Sequence, residues 1–201
     1  MIRVVDDDES LRSSLLRLLE AAGHEAQGFG STGEFLLRSS PDRPGCVLLD
    51  VRLPGPSGLD LQAALPDQGI ALPVVFMTGH PDVASSVRAM KAGAIDFLEK
   101  PIERQALFDA LQRALARDAR QRAERGEAEA LRKRFSQLSE REHEVLHRIV
   151  AGKLNKQIAD ELGIAERTVK AQRAQVMEKL GANSAAELGV LAERLRQLAE
   201  A

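Results

Sequence analysis

The stretch Cys46-Val47-Leu48-Leu49-Asp50-Val51-Arg52-Leu53-Pro54-Gly55-Pro56-Ser57-Gly58 decides how the first half of this chain folds. A short apolar run meets an acid and then a loop shaped by proline and glycine, which reads as a buried strand stopping at Asp50. Three other places repeat the pattern. Residues 2–5 run into Asp6-Asp7, residues 74–77 into Thr78, and residues 95–98 through Glu99 into Lys100-Pro101. In an open parallel α/β sheet the carboxyl ends of the strands share one edge, and that edge holds the ligand site. Three carboxylates, a hydroxyl and an amine then converge there, a set suited to a divalent cation and a phosphoryl group. Asp50 is read as the phosphate acceptor.

Working outward, residues 25–29 supply a fifth strand. The intervening apolar residues recur at helical spacing: Leu11/Leu15/Leu18/Leu19, Leu59/Leu61/Leu65, Val83/Val87/Met90 and Leu107/Leu111/Leu115. Strand and helix alternating five times predicts a five-stranded, doubly wound parallel sheet covered on both faces. Gly23, Gly69 and Gly93 fall where helices should stop.

The composition bounds the alternatives. A chain of 201 residues holds one large or two small domains, and with no Trp or Tyr and six Phe its cores must be aliphatic. The single Cys46 permits no disulfide framework and reads as a small buried hydrophobe in a reducing compartment. No apolar run approaches the roughly 20 residues needed to span a bilayer, and no basic leader with an apolar core opens the chain. A cytoplasmic protein without membrane association is expected. Only five residues precede Asp6, so the first strand is very short and the start of the chain is unusual or incomplete. The net charge of −2 hides an asymmetry. Residues 1–116 carry 11 basic and 16 acidic side chains, and residues 117–201 carry 17 and 14, which suggests two modules with different partners.

Residues 117–135 contain six Arg and one Lys interleaved with acids. They read as a solvated helical linker with a break at Gly126; Glu124, Glu127 and Glu129 argue against a nucleic-acid tail. Beyond them only helical periods occur. Ser139-Glu140-Arg141-Glu142 is a capping box opening a helix through Val145, Leu146, Ile149 and Val150. Asn155 is expected to cap a short helix carrying Ile158, Ala159 and Leu162. After a Gly163 turn a third helix runs from about 165 to 180, and Ser184 caps a last one. The short helix, turn and long helix form a helix-turn-helix. With Val169, Val176 and Leu180 inward, Lys170, Arg173, Ala174 and Met177 face outward, and small Ala171 and Ala174 let the helix approach the major groove.

Two resemblances rest on these residues. Residues 1–116 resemble the receiver domain of two-component response regulators. The resemblance lies in Asp6-Asp7, Asp50-Val51-Arg52-Leu53-Pro54, Thr78 and the string from Met90 to Pro101, with spacings of 43, 28 and 22 between Asp7, Asp50, Thr78 and Lys100. Residues 136–195 resemble the LuxR-type DNA-binding domain, through Ser139-Glu140-Arg141-Glu142, Asn155-Lys156-Gln157-Ile158-Ala159, Leu162-Gly163-Ile164, Thr168-Val169-Lys170 and Glu178-Lys179-Leu180-Gly181. Together they are similar to FixJ-type regulators of the NarL/FixJ group. The division expected is a flavodoxin-like receiver over 1–118, a helical linker over 119–135 and an all-α helix-turn-helix domain over 136–201.

The resemblance implies roles. Asp50 accepts a phosphoryl group from a phosphohistidine on a sensor histidine kinase, with Lys100 and Thr78 assisting. Mg²⁺, whose preference for oxygen ligands suits three carboxylates, is held by Asp7, Asp50 and the Arg52 carbonyl, with Asp6 acting through water. Thr78 and Phe97 switch together. Base-edge duty falls to Lys170, with Ala171 and Ala174 at close approach. Lys156, Thr168, Gln172, Arg173 and Lys179 touch phosphates; the family usually has His where Gln172 stands. Homodimer faces are placed on Val87, Met90 and Lys91 and on Leu188 and Leu191, with RNA polymerase a further partner.

Other readings are weaker. A metal-dependent phosphatase using Asp50 lacks a second Asp two positions on, where Arg52 stands, and leaves the basic half unexplained. An adaptor for protein or RNA would show no salt-dependent shift of DNA. His143-Glu144-Val145-Leu146-His147 matches the H-E-x-x-H zinc pattern, with Glu166 as a third ligand, but the pattern sits on a core-forming helix of a small domain without a cleft. His24 and His80 lack partner ligands.

Overall fold

The computed structural model describes residues 1–39 and 43–200, and it divides into two compact units, Met1–Arg122 and Ala123–Ala201. In the first unit the five expected strands form: β1 (Ile2–Val5), β2 (Ala26–Phe29), β3 (Cys46–Asp50), β4 (Val74–Thr78) and β5 (Asp96–Glu99). All neighbours are parallel, in the order β2-β1-β3-β4-β5. Helices α1 (Glu9–Ala21), α2 (Thr32–Arg38), α3 (Gly58–Ala64) and α4 (Val83–Lys91) connect them. Every residue of β1, β3 and β4 is buried because both faces of the sheet are covered. Val5, Leu49, Val74 and Phe76 pack on one face, and Val4, Leu48, Val75 and Met77 on the other. Gly23, Gly69 and Gly93 hold positive φ past helix ends, as their positions predict.

The strand order reverses between β1 and β3. Asp6-Asp7 and Asp50 end those two strands, so they flank the crevice that the reversal opens.

Helix α5 runs from Arg104 to Phe135 without interruption, so the expected break at Gly126 is absent. Nor is the stretch 119–135 a solvated linker throughout. Leu107, Ala110, Leu111 and Ala114 pack under the sheet of the first unit, while Ala128 is buried and Leu131 and Phe135 lie in the core of the second. Their spacing of three and four puts them on one stripe, which the surrounding charges concealed in the sequence. Before the second unit begins, Asp118 is buried and accepts hydrogen bonds from the Gly45 amide (2.8 Å) and from Arg122.

The second unit continues with α6 (Glu140–Val150), α7 (Asn155–Leu162), α8 (Glu166–Leu180) and α9 (Ala185–Glu200). Ser139 and Glu142 close the capping box at α6, and Ser184 accepts from the Glu187 amide at α9. Asn155 is not the cap of α7; it is the first helical residue, and the Gln157 side chain accepts from the Leu154 amide instead. Gly163 takes a left-handed conformation (φ 64°) between α7 and α8, the turn of the helix-turn-helix.

Candidate functional site

The sheet edge brings together residues far apart in sequence. Lys100, one residue past β5, places its ammonium 2.7 Å from a carboxylate oxygen of Asp6 and 2.7 Å from one of Asp50. Asp6, Asp7 and Asp50 each offer an oxygen within 4.8 Å of the others. Asp6 is fully enclosed, Asp50 nearly so, and Asp7 is exposed at the mouth. Burial pushes the Asp6 carboxyl above its ordinary range, although the Lys100 hydrogen bond opposes it. Burial also pulls on Lys100 in favour of its neutral form, but the hydrogen bonds it donates to Asp50 and Asp6 outweigh this and hold its ammonium above its ordinary value. One cation against three carboxylates leaves the crevice negative. All-oxygen donors and open access through Asp7 fit a hard divalent ion such as Mg²⁺.

The surrounding chain shapes this pocket. The Arg52 amide donates to Asp50 at 3.2 Å. Gly58 passes so close to the Asp50 carbonyl that a Cβ there would lie 2.1 Å from the oxygen, which only glycine permits. Thr78 ends β4, buried, its hydroxyl accepting from the His80 amide. Phe97, in β5, is half-buried with its ring 6.0 Å from that of Phe76. All five predicted pocket positions therefore meet, or border, one edge. On α4 beside it, Val87 and Met90 are about half exposed and Lys91 is exposed.

The second unit fits the sequence reading less evenly. Lys156, Thr168, Lys170, Ala171 and Ala174 are exposed on α7 and α8, whereas Gln172 and Arg173 are half-buried. Arg173 reaches the Asn155 side chain at 3.3 Å. Met177 packs inward against the core, correcting its outward placement. Lys179 is committed within the unit: it donates to the buried carboxylate of Glu142 at 2.7 Å and to the Gln137 carbonyl at 3.2 Å. Leu188 is fully buried and Leu191 packs against the same core, so neither presents the dimer face assigned to them; helical spacing alone does not tell an inner stripe from an outer one. Glu166 opens α8 away from the zinc pattern. Among the described residues, Asp6, Asp7 and Asp50 are the one group of three or more such side chains able to meet at an ion. Cys46 is buried and its thiol is pushed up to about 12 by burial, which makes it inert.

Comparison with known proteins agrees with both units. Residues 2–112 match the response regulator receiver domain, and residues 136–192 match the bacterial regulatory proteins of the luxR family. The chain is a response regulator of the NarL/FixJ group. Nodulation protein W of Bradyrhizobium diazoefficiens is 46% identical over 97% of this chain and 86% of its own length. The transcriptional regulatory protein FixJ of Azorhizobium caulinodans is 44% identical over 93% of this chain and 89% of its own. The solved structure of the response regulator StyR superposes with a TM-score of 0.90 at 47% identity, covering 96% of this chain and 98% of that one. A receiver joined to a LuxR-type DNA-binding domain makes this response regulator a regulator of transcription, with a kinase and DNA as the partners its two domains imply. No helix among the described residues is long and apolar enough to cross a membrane.

Sequence reasoning missed three contributors: Arg12, whose guanidinium donates to the Asp6 carbonyl at 2.6 Å, Asp118 and the Glu142–Lys179 pair. Each acts through a partner that no local spacing predicts.

Proposed function

We propose that Asp50 accepts a phosphoryl group from the phosphohistidine of a sensor histidine kinase and that this modification controls DNA binding by the second domain. The observation that carries the reading is the Lys100 ammonium set 2.7 Å from both Asp6 and Asp50, in a crevice with three convergent carboxylates. Asp50 attacks in line. Lys100 neutralises charge on the transferring group, and catalysis is positioning and electrostatics rather than covalent assistance. Asp7, Asp50 and the Arg52 carbonyl would hold Mg²⁺, with Asp6 behind them; when bound, the ion supplies positive charge against the phosphoryl oxygens.

Thr78 then turns its hydroxyl to a phosphoryl oxygen, and Phe97 takes the space it leaves. The half-exposed Val87 and Met90, with Lys91, serve as the pairing face of the phosphorylated receiver. Two receivers paired in this way bring two α8 helices to DNA half-sites, with Lys170 at base edges and Lys156 and Thr168 on phosphates. We further read the protein as cytoplasmic, as activating transcription through RNA polymerase, and as catalysing only its own aspartyl phosphorylation and dephosphorylation.

The test is labelling by acetyl phosphate in Mg²⁺. Asp50→Asn is expected to abolish it, and labelling that persists would refute the acceptor.

A further inference from the structure

We propose that Arg12 is the positioning residue of the acidic pocket: its guanidinium holds the peptide carbonyl that joins Asp6 to Asp7, and so sets the angle between the two carboxylates. This deepens the reading of the pocket as a divalent-cation and phosphoryl site and rests on it. Arg12 lies in the first turns of α1, half-buried, and its Nη1 donates to the Asp6 carbonyl oxygen at 2.6 Å. That oxygen has lost its sheet partner. β2 ends at Phe29, whose carbonyl takes the Asp6 amide at 3.1 Å, and among the described residues no backbone amide beyond it donates to the Asp6 carbonyl. Arg12 supplies the donor that the strand does not.

The consequence falls on Asp7. Its carboxylate has no hydrogen bond or ion pair among the described residues, so the two flanking peptide groups alone set the direction in which this side chain leaves the backbone. Arg12 fixes the first of these groups. The second is fixed by the Asp8 amide, which donates to Asp6 Oδ1 at 3.0 Å, while Asp6 Oδ2 is held by Lys100. Arg12 thus holds the Asp6–Asp8 turn at the Asp6 carbonyl and Lys100 holds it at the Asp6 carboxylate, and Asp7 keeps an unpartnered oxygen within 4.8 Å of one from Asp6 and one from Asp50. Gly28 makes the route for the arginine: a Cβ there would lie 3.1 and 3.2 Å from Arg12 Cδ and Cγ and 2.9 Å from Leu16 Cδ1.

Partners that orient a ligand without touching the ion typically account for about a tenfold or greater change in metal affinity. Calorimetric titration of the full chain with Mg²⁺ tests this, with R12M, R12K, G28A and D7N beside the wild type. R12M is expected to weaken Mg²⁺ about tenfold, R12K to recover part of the loss through its one retained donor, and G28A to fall between wild type and R12M. In the absence of the ion, amide hydrogen exchange at Asp7 and Asp8 should speed up in R12M, which a loss of charge alone would not cause. If R12M binds within about twofold of wild type while D7N does not bind, the positioning role is wrong and the pocket stands. If the wild type takes up no Mg²⁺, the pocket reading itself fails. Should R12M not fold, R12K and G28A decide, because both keep the charge: weakened binding in G28A supports the role, and wild-type affinity in both overturns it.

Discussion

Two lysines of this protein make nearly the same contact and serve opposite ends. Lys100 lies 2.7 Å from Asp6 and from Asp50, and Lys179 lies 2.7 Å from Glu142. At the receiver edge one ammonium faces three carboxylates, and the shortage of positive charge leaves a crevice able to take a cation. In the second domain one ammonium faces one carboxylate, whose Oε2 also accepts from the Ser139 amide at 2.7 Å and the Ser139 hydroxyl at 3.0 Å. That pair balances one charge with one, and it ties α6 to α8. Stoichiometry, rather than the pairing itself, separates a chemical site from a structural clamp.

The comparison can be broken most sharply at the receiver. Lys100→Met is expected to slow acetyl-phosphate labelling of Asp50 about a hundredfold, the usual size when one transition-state donor is removed, while Mg²⁺ binding is kept. A labelling time course at saturating Mg²⁺ measures this, and an unchanged rate would demote Lys100 to the clamp class. A smaller effect belongs to the exposed lysine of α8. Lys170→Ala should weaken operator binding about tenfold and lower the salt slope by about one, read from footprints at several salt concentrations. Unaltered affinity and slope would remove Lys170 from the interface.

The smallest effect is the clamp's own. Lys179→Met strands a carboxylate that is 6% exposed, and with the lysine itself partly solvated the loss should be about 1–2 kcal/mol of domain stability. Its pH dependence has a definite sign. The Lys179 hydrogen bond, then that of the Ser139 amide, holds the Glu142 carboxyl below its ordinary value of 4.5. A depressed folded value means that the stabilisation is complete above 4.5 and is lost as the pH falls through the folded value. The gap between wild type and Lys179→Met in denaturant unfolding should therefore narrow on acidification, and a gap that stays constant would mean that Glu142 is not the lysine's partner in solution.

Legibility followed the range of the interaction. The strand ends at Asp50, Thr78 and Lys100 could be read because a short apolar run stopped by an acid, a threonine or a lysine is a local pattern, and the parallel fold brings such ends to one edge. The capping box at Ser139 and the cap at Ser184 were equally local. Leu188 and Met177 went astray because helical spacing gives a stripe but not which side the neighbours occupy. The buried stripe of Ala128, Leu131 and Phe135 was hidden by charges that point the other way on the same helix. Nothing around Arg12 announces that it will complete a strand end six residues earlier.

The sequence alone determined the five-stranded parallel sheet, the helix-turn-helix and the acidic set at the sheet edge. All of these follow from side-chain period, turn residues and the topology of parallel strands. Only the tertiary structure decided how each charge is partnered: Lys100 between two aspartates, Lys179 on Glu142, Arg12 on the Asp6 carbonyl. A hydrogen bond is set by approach within about 3 Å, and residues that no regular helix or strand period brings together acquire that proximity only when the chain has packed.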